Sequence, residues 1–159
     1  MQLGMVGLGR MGMGMTKRLQ QAGHDIKTYD PNVDSTAKTL GALAKQLDTP
    51  RHVWMMVPAG KITEDTFEQL LGILDEGDTI VDGGNSNFRD SKRRYEKAQQ
   101  KGINFIDVGV SGGIWGLEVG YCLMVGGDDE PVSRLEPVFR ALAPETATRT
   151  SAGRAPATS

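Results

Sequence analysis

Leu3-Gly4-Met5-Val6-Gly7-Leu8-Gly9-Arg10-Met11-Gly12 opens the chain and decides its fold. A short apolar run ends in G-x-G-x-x-G, and residues Met11 to Gln21 continue with good helix formers, closed by Gly23 as a left-handed cap. This reads as strand, tight turn, helix. Ile26 to Tyr29 supplies a second strand that stops at Asp30-Pro31, because proline cannot donate to a central ladder. In such a βαβ unit Gly7 permits the turn, Gly9 lets a diphosphate approach the backbone, and Gly12 lets the helix pack on the strand. The helix N-terminus adds amide donors and partial positive charge. Asp30, 21 residues after Gly9, stands where a carboxylate takes ribose hydroxyls. A dinucleotide site is therefore expected over Gly7, Leu8, Gly9, Arg10, Met11, Gly12 and Asp30. A carboxylate at Asp30 would repel a 2′-phosphate, no arginine follows closely, and Lys27 and Lys38 are poor substitutes for a planar guanidinium, so NAD is expected over NADP. The competing readings are a purely structural turn at the glycines and an Asp-Pro-Asn turn at Asp30.

The same alternation continues outward. Val53 to Val57 is an almost wholly apolar strand ending at Pro58, and Thr63 to Leu74 is a helix with Glu64 and Asp65 in its first turn. Thr79 to Val81 is a buried strand broken by Asp82-Gly83-Gly84-Asn85, after which Ser86 or Asn87 caps a polar helix running to Lys101. Ile103 to Val108 returns as a strand, followed by the glycine-rich stretch Gly109 to Gly116, a strand from Tyr121 to Val125, and a helix from Pro131 to about Leu142. Strands alternating with helical periods predict a doubly wound, mostly parallel α/β sheet.

Composition narrows the function classes. Eighteen Lys and Arg against 20 Asp and Glu give a net charge of −2, with no basic excess for nucleic acid. No segment reaches the roughly 18 apolar residues of a membrane span, and the N-terminus lacks a charged leader, so a cytoplasmic protein is expected. The single Cys122 excludes an internal disulfide framework and is expected to be buried. His24 and His52 lack partners at metal-ligand spacing, so no metal is expected. Met5, Met11, Met13 and Met15 read as core filler, Trp115 as packing more often than stacking, and Lys92-Arg93-Arg94 as a solvated helix face.

Two further stretches carry polar groups to the edge of the sheet where doubly wound folds place ligands. Asp82-Gly83-Gly84-Asn85-Ser86 offers paired glycines for close approach and an amide that both donates and accepts, or else an ordinary capping turn. Ser111-Gly112-Gly113, expected three residues past its strand, offers a hydroxyl and two unencumbered amides for a carboxylate or hydroxyl, or else a bland loop.

Taken together, Gly7 to Gly12, Met56-Val57-Pro58-Ala59-Gly60, Asp82 to Ser86 and the run Asp107 to Glu118 resemble 6-phosphogluconate dehydrogenase, in its shorter NAD-preferring decarboxylating form. The sister β-hydroxyacid dehydrogenases share the glycine fingerprint and a Ser-Gly-Gly loop but usually lack the other signatures. A fragment of that kind and a stand-alone nucleotide-binding module are the alternatives. The resemblance implies a Rossmann domain over residues 1–145, with Val57, Pro58 and Ala59 bordering the nicotinamide. It implies that Asn85 touches both cofactor and sugar acid, and that Ser111, Gly112 and Gly113 hold the substrate. It further implies an enzyme that oxidises 6-phosphogluconate and releases CO₂ to leave ribulose 5-phosphate in the pentose phosphate pathway, and full-length members oligomerise.

The chain departs from the family at Gly14, where Asn is usual, and in a shortened Thr39 to Asp48. The family's lysine base and glutamate acid lie in a following helical domain, so no catalytic residue is expected within this chain and no turnover from it alone. After Glu145 the family continues G-Y-A-H-V-G-x-x-G-A-G-H-F. Thr146 to Ser159, written in suitable codons and read two bases on, gives G-Y-A-H-V-G-R-A-G-A-G-H-F. The expectation is a shifted reading frame and a disordered tail over 146–159.

Overall fold

The computed structural model describes residues 1–145, so the expected tail lies outside the described residues. Six strands form one sheet in the order β2-β1-β3-β4-β5-β6. They are β1 (Gln2–Val6), β2 (Asp25–Tyr29), β3 (His52–Met55), β4 (Thr79–Asp82), β5 (Asn104–Ser111) and β6 (Cys122–Gly126). The first five run parallel, and β6 closes the edge antiparallel to β5. This is the expected doubly wound α/β class.

Alternation along each strand builds two cores. Leu3, Met5, Trp54, Val81, Ile106 and Val108 face one layer, formed by α1 (Arg10–Gln21), α5 (Gly116–Val119), α6 (Asp129–Arg134) and α7 (Glu136–Leu142). Val6, Val53, Met55, Ile80 and Phe105 face the other, formed by α2 (Leu40–Lys45), α3 (Lys61–Ile73) and α4 (Phe88–Gln100). β3 is buried at every position, as a strand covered on both faces must be. The shortened crossover before it still carries α2, capped by Thr39, whose hydroxyl accepts from the Ala42 amide at 3.0 Å.

Four local expectations are corrected. β5 runs through Ser111, so that residue ends the strand instead of following it, because β6 supplies ladder partners as far as the Ser111 and Cys122 pair. The last helix is two helices, since Pro137 lacks the amide to continue α6 and instead opens α7. Cys122 is exposed, because on an edge strand alternate residues face solvent. Trp115 is 60% exposed and is not core packing.

Candidate functional site

Because β1, β3, β4 and β5 are parallel, the segments that follow them all emerge on the carboxyl edge of the sheet. The order reverses between β1 and β3, the switch point at which doubly wound sheets open a crevice. The loops after these two strands are in contact there. A Cβ on Gly7, whose φ is +97°, would lie 2.3 Å from the Met56 carbonyl oxygen and 3.2 Å from Val57 Cγ1. A Cβ on Gly12 would lie 2.0 Å from the Gly7 oxygen. Both glycines are therefore demanded by the chain's own packing. Gly9 is different: a Cβ there would meet nothing within 4 Å, and φ of −64° is open to any residue. Among the described residues nothing requires a glycine at that position, and the backbone there is open to the close approach of a ligand.

The start of α1 has the same character. Gly9 is its N-cap, no side chain caps the first turn, and no acidic residue stands in it. Among the described residues no side chain accepts from its first amides, and a diphosphate suits them by charge and by hydrogen bonding. Asp30 closes the other end of this loop. Its Oδ2 accepts from the Leu8 amide at 2.7 Å and its Oδ1 from the Asn32 amide at 2.7 Å. The Asp-Pro-Asn turn and the tie to the glycine loop are thus made by one carboxylate, which keeps lone pairs for sugar hydroxyls. The residues present fit a dinucleotide.

Val57, Pro58 and Ala59 leave β3 toward this crevice, and the Pro58 carbonyl is held by the Thr63 hydroxyl at 2.6 Å. Gly83 and Gly84 serve packing more than ligand approach. A Cβ on Gly83 would meet Met56 Sδ at 2.4 Å, and one on Gly84 would meet the Val57 oxygen at 2.6 Å. Their compactness lets the loop lie on β3 and turn Asn85 outward, where it is exposed with φ of +58°. The capping ambiguity also resolves. Asn87 caps α4 by accepting from the Asp90 amide at 3.0 Å, while Ser86 donates to Asp82 Oδ2 at 2.7 Å.

Beneath that loop lies a buried ion pair that sequence reading missed. Arg94 is 1% exposed and donates from Nη1 to Asp82 Oδ2 at 3.3 Å and to Ser86 Oγ at 2.8 Å, and from Nε to Glu64 Oε1 at 2.9 Å. Lys92-Arg93-Arg94 is not a uniformly solvated face. Ser91, Arg94 and Ala98 recur at helical spacing and form the buried stripe of α4, a signal present in the sequence. Burial alone would raise the pKa of Glu64, but the hydrogen bonds from Arg93 and Arg94 outweigh it and hold the carboxyl below its usual range.

On β5, Asp107, Gly109 and Ser111 alternate with the buried Val108 and Val110, so they share the face that looks toward α4 and Asn85. A Cβ on Gly109 would lie 3.9 Å from Asn85 Oδ1. Asn85, Ser111 and the bare backbone of Gly113, with φ of +54°, are thus gathered on one edge. Gly112 again answers to packing, since a Cβ there would lie 2.8 Å from the Tyr121 ring. The same tyrosine accounts for Gly14, where a Cβ would be 2.3 Å from its hydroxyl and an asparagine could not fit unless the ring moved.

A parallel sheet with G-x-G-x-x-G at its switch point and a carboxylate closing the second strand is the architecture of an NAD(P)-binding domain of an oxidoreductase. Residues 2–151 match the family model described as the NAD binding domain of 6-phosphogluconate dehydrogenase, and the chain belongs to that family. The NAD(+)-dependent decarboxylating 6-phosphogluconate dehydrogenase of Haloferax volcanii is 39% identical over 153 residues, 90% of this chain and 50% of the relative. The enzyme of that name from Bacillus subtilis is 33% identical over 155 residues, 89% of this chain and 33% of the relative. The chain thus spans half the length of the first and a third of the second. Among solved structures, the 6-phosphogluconate dehydrogenase of Plasmodium falciparum superposes with a TM-score of 0.84 at 24% identity, over 92% of this chain and 35% of that one. The 3-hydroxyisobutyrate dehydrogenase of Mycobacterium tuberculosis superposes at 0.72 and 24%, over 89% and 52%. At those identities the likeness is one of fold. Among the described residues no helix is long and apolar enough to cross a membrane.

Proposed function

We propose that residues 1–145 are the cofactor-binding domain of a decarboxylating 6-phosphogluconate dehydrogenase that prefers NAD. The single observation that carries the cofactor reading is Gly9: its neighbours Gly7 and Gly12 are required by contacts within the chain, and it is required by none. In this reading Gly7, Leu8, Gly9, Arg10, Met11 and Gly12 wrap the diphosphate, and the uncapped start of α1 supplies its amides. Asp30 takes the adenosine ribose hydroxyls and disfavours a 2′-phosphate by charge repulsion, which favours NAD over NADP. Val57, Pro58 and Ala59 border the nicotinamide, which when bound supplies the hydride acceptor.

Asn85 bridges cofactor and substrate, its amide donating to one and accepting from the other. Ser111, Gly112 and Gly113 hold the sugar acid, Ser111 by its hydroxyl and Gly113, where a Cβ would meet nothing within 4 Å, by its amide. The specificity for 6-phosphogluconate is supported by the family match and by the 39% and 33% identities to decarboxylating relatives. In the family that the chain resembles, the lysine base and glutamate acid follow the cofactor domain, so in this reading residues 1–145 bind and orient and leave proton transfer to groups outside them.

The reading is tested by calorimetric titration of the chain with NADH and NADPH, then with 6-phosphogluconate on the NAD⁺-loaded chain while the Asn85 and Ser111 amides are followed by NMR. Preferential binding of NADH and movement of both amides are expected. Equal binding of NADPH removes the cofactor preference, and motionless Asn85 and Ser111 amides remove the substrate assignment.

A further inference from the structure

The cleft beneath Asn85 contains a group that neither the glycine loop nor the buried arginine employs. Asp107 stands beside Asp82, since the two are register partners on β4 and β5. Its Oδ1 is buried and makes no hydrogen bond. Around it a cleft of ≈ 230 Å³ is walled by Asp82, Asn85, Ser86, Ser91, Gly109 and Met124. The charged groups packed around this cleft give Asp107 nothing. Asp82 on β4 has the same sign and is held by Gly84, Ser86 and Arg94; Arg94 on α4 is turned to Asp82 and Glu64; β6 presents Met124. Among the described residues Asp107 forms no ion pair.

A carboxylate oxygen can only accept, and buried polar atoms are nearly always satisfied. Since no cation among the described residues is turned to it, a neutral donor suits this oxygen. We infer that this cleft is a hydroxyl subsite, in which Asp107 accepts a hydrogen bond from an alcohol of a polyhydroxylated ligand whose adjoining atoms are held by Asn85 and Ser111. The inference rests on the reading of Asn85 and Ser111 given above. Gly109, between Asp107 and Ser111 on the same face, leaves the floor clear: a Cβ there would stand 3.6 Å from Met124 Cβ and 3.9 Å from Asn85 Oδ1, narrowing the passage. The alcohol has two sources of one chemistry, the nicotinamide ribose and a sugar acid. Burial, with the Asp82 charge adding and its own amide partly opposing, pushes the Asp107 carboxyl from 3.8 to about 6, and a hydroxyl bonded to the charged form pulls it back down.

The test is a ¹³C NMR pH titration of the Asp107 carboxyl in the 159-residue chain, alone and with NAD⁺, 6-phosphogluconate or, as an acid with one hydroxyl, 3-hydroxypropionate. The midpoint is expected to fall with NAD⁺ or with 6-phosphogluconate, whichever supplies the alcohol, and to stay in place with 3-hydroxypropionate. Asp107→Asn should weaken that one ligand about tenfold. A midpoint unmoved by both ligands, while NAD⁺ shifts the Gly9 amide, overturns the subsite and leaves the cofactor reading standing; so does an equal response to 3-hydroxypropionate. A Gly9 amide that NAD⁺ does not move brings down the cofactor reading and the subsite with it.

Discussion

Asp30 Oδ2 holds the amide of Leu8 at 2.7 Å, so the carboxylate that ends the second strand also fixes the loop that ends the first. The two halves of the proposed dinucleotide site are thereby coupled within the chain itself, one by a charge and the other by an oriented backbone. Asp30→Ala breaks both roles. The freed Leu8 amide should cost about 1–2 kcal/mol of stability in urea denaturation, and NADH affinity should fall about tenfold or more with loss of the preference over NADPH. Unchanged affinity would confine Asp30 to its turn.

The glycine loop makes a paired prediction. Gly7→Ala, forced to φ of +97° against the Met56 carbonyl, should lose about 2 kcal/mol or more of stability. Gly9→Ala should unfold within about 0.5 kcal/mol of the parent, because its side is open and its φ ordinary, yet bind NADH about tenfold less well. Melting curves and NADH fluorescence on the same two variants separate the effects; a Gly9→Ala chain that binds normally contradicts them.

Arg94 and Asp82 are the buried members of the network they form with Glu64, their side chains 1% and 0% exposed. Arg94→Met leaves a buried carboxylate unpaired and should cost about 3–5 kcal/mol, whereas adding Asp82→Asn should recover part of it. Urea denaturation of the two singles and the double shows the coupling, and strictly additive losses would rule it out.

Acid sensitivity follows from Glu64. Its folded pKa lies below the usual 4.5, so its stabilisation is complete above that value and is lost as pH falls through the lower folded one. Glu64→Gln should therefore flatten the acid limb of the stability curve below about pH 4.5, measured by thermal melts from pH 3 to 7. An acid limb as steep as the parent's would assign the loss to other carboxylates.

Asp107 has the opposite sign. A carboxyl raised from 3.8 to about 6 is favoured neutral in the folded state, so its contribution falls as pH rises across that window and stays low above it. Asp107→Asn should stabilise the chain at pH 8 by on the order of 1 kcal/mol, after allowance for solvent screening, and by almost nothing at pH 4. Melts at the two pH values distinguish this from a gain that is the same at both.

Much of the frame was legible because it depends on local period. Apolar runs of strand length, helix formers between them and glycines at the turns suffice for β1, α1 and β2, and parallel strands then carry every candidate segment to one edge. What escaped depends on partners distant in sequence. β5 extends through Ser111 only because an antiparallel edge strand comes to pair with it, and that same edge position exposes Cys122. Arg94 lay hidden in a charged run because composition counts charges, while burial follows the stripe from Ser91 to Ala98. The packing roles of Gly14, Gly83 and Gly112 required knowing where Tyr121 and Met56 lie. Asp107 gave no signal of its own until its neighbours were seen to be committed elsewhere.

The most direct measurement is an NMR titration of the chain with NADH, followed at the backbone amides. The account predicts saturable shifts that are largest at Gly9, Arg10 and Met11 and at Leu8, the amide tied to Asp30. No saturable shift, or shifts centred away from the β1–α1 loop, would contradict it.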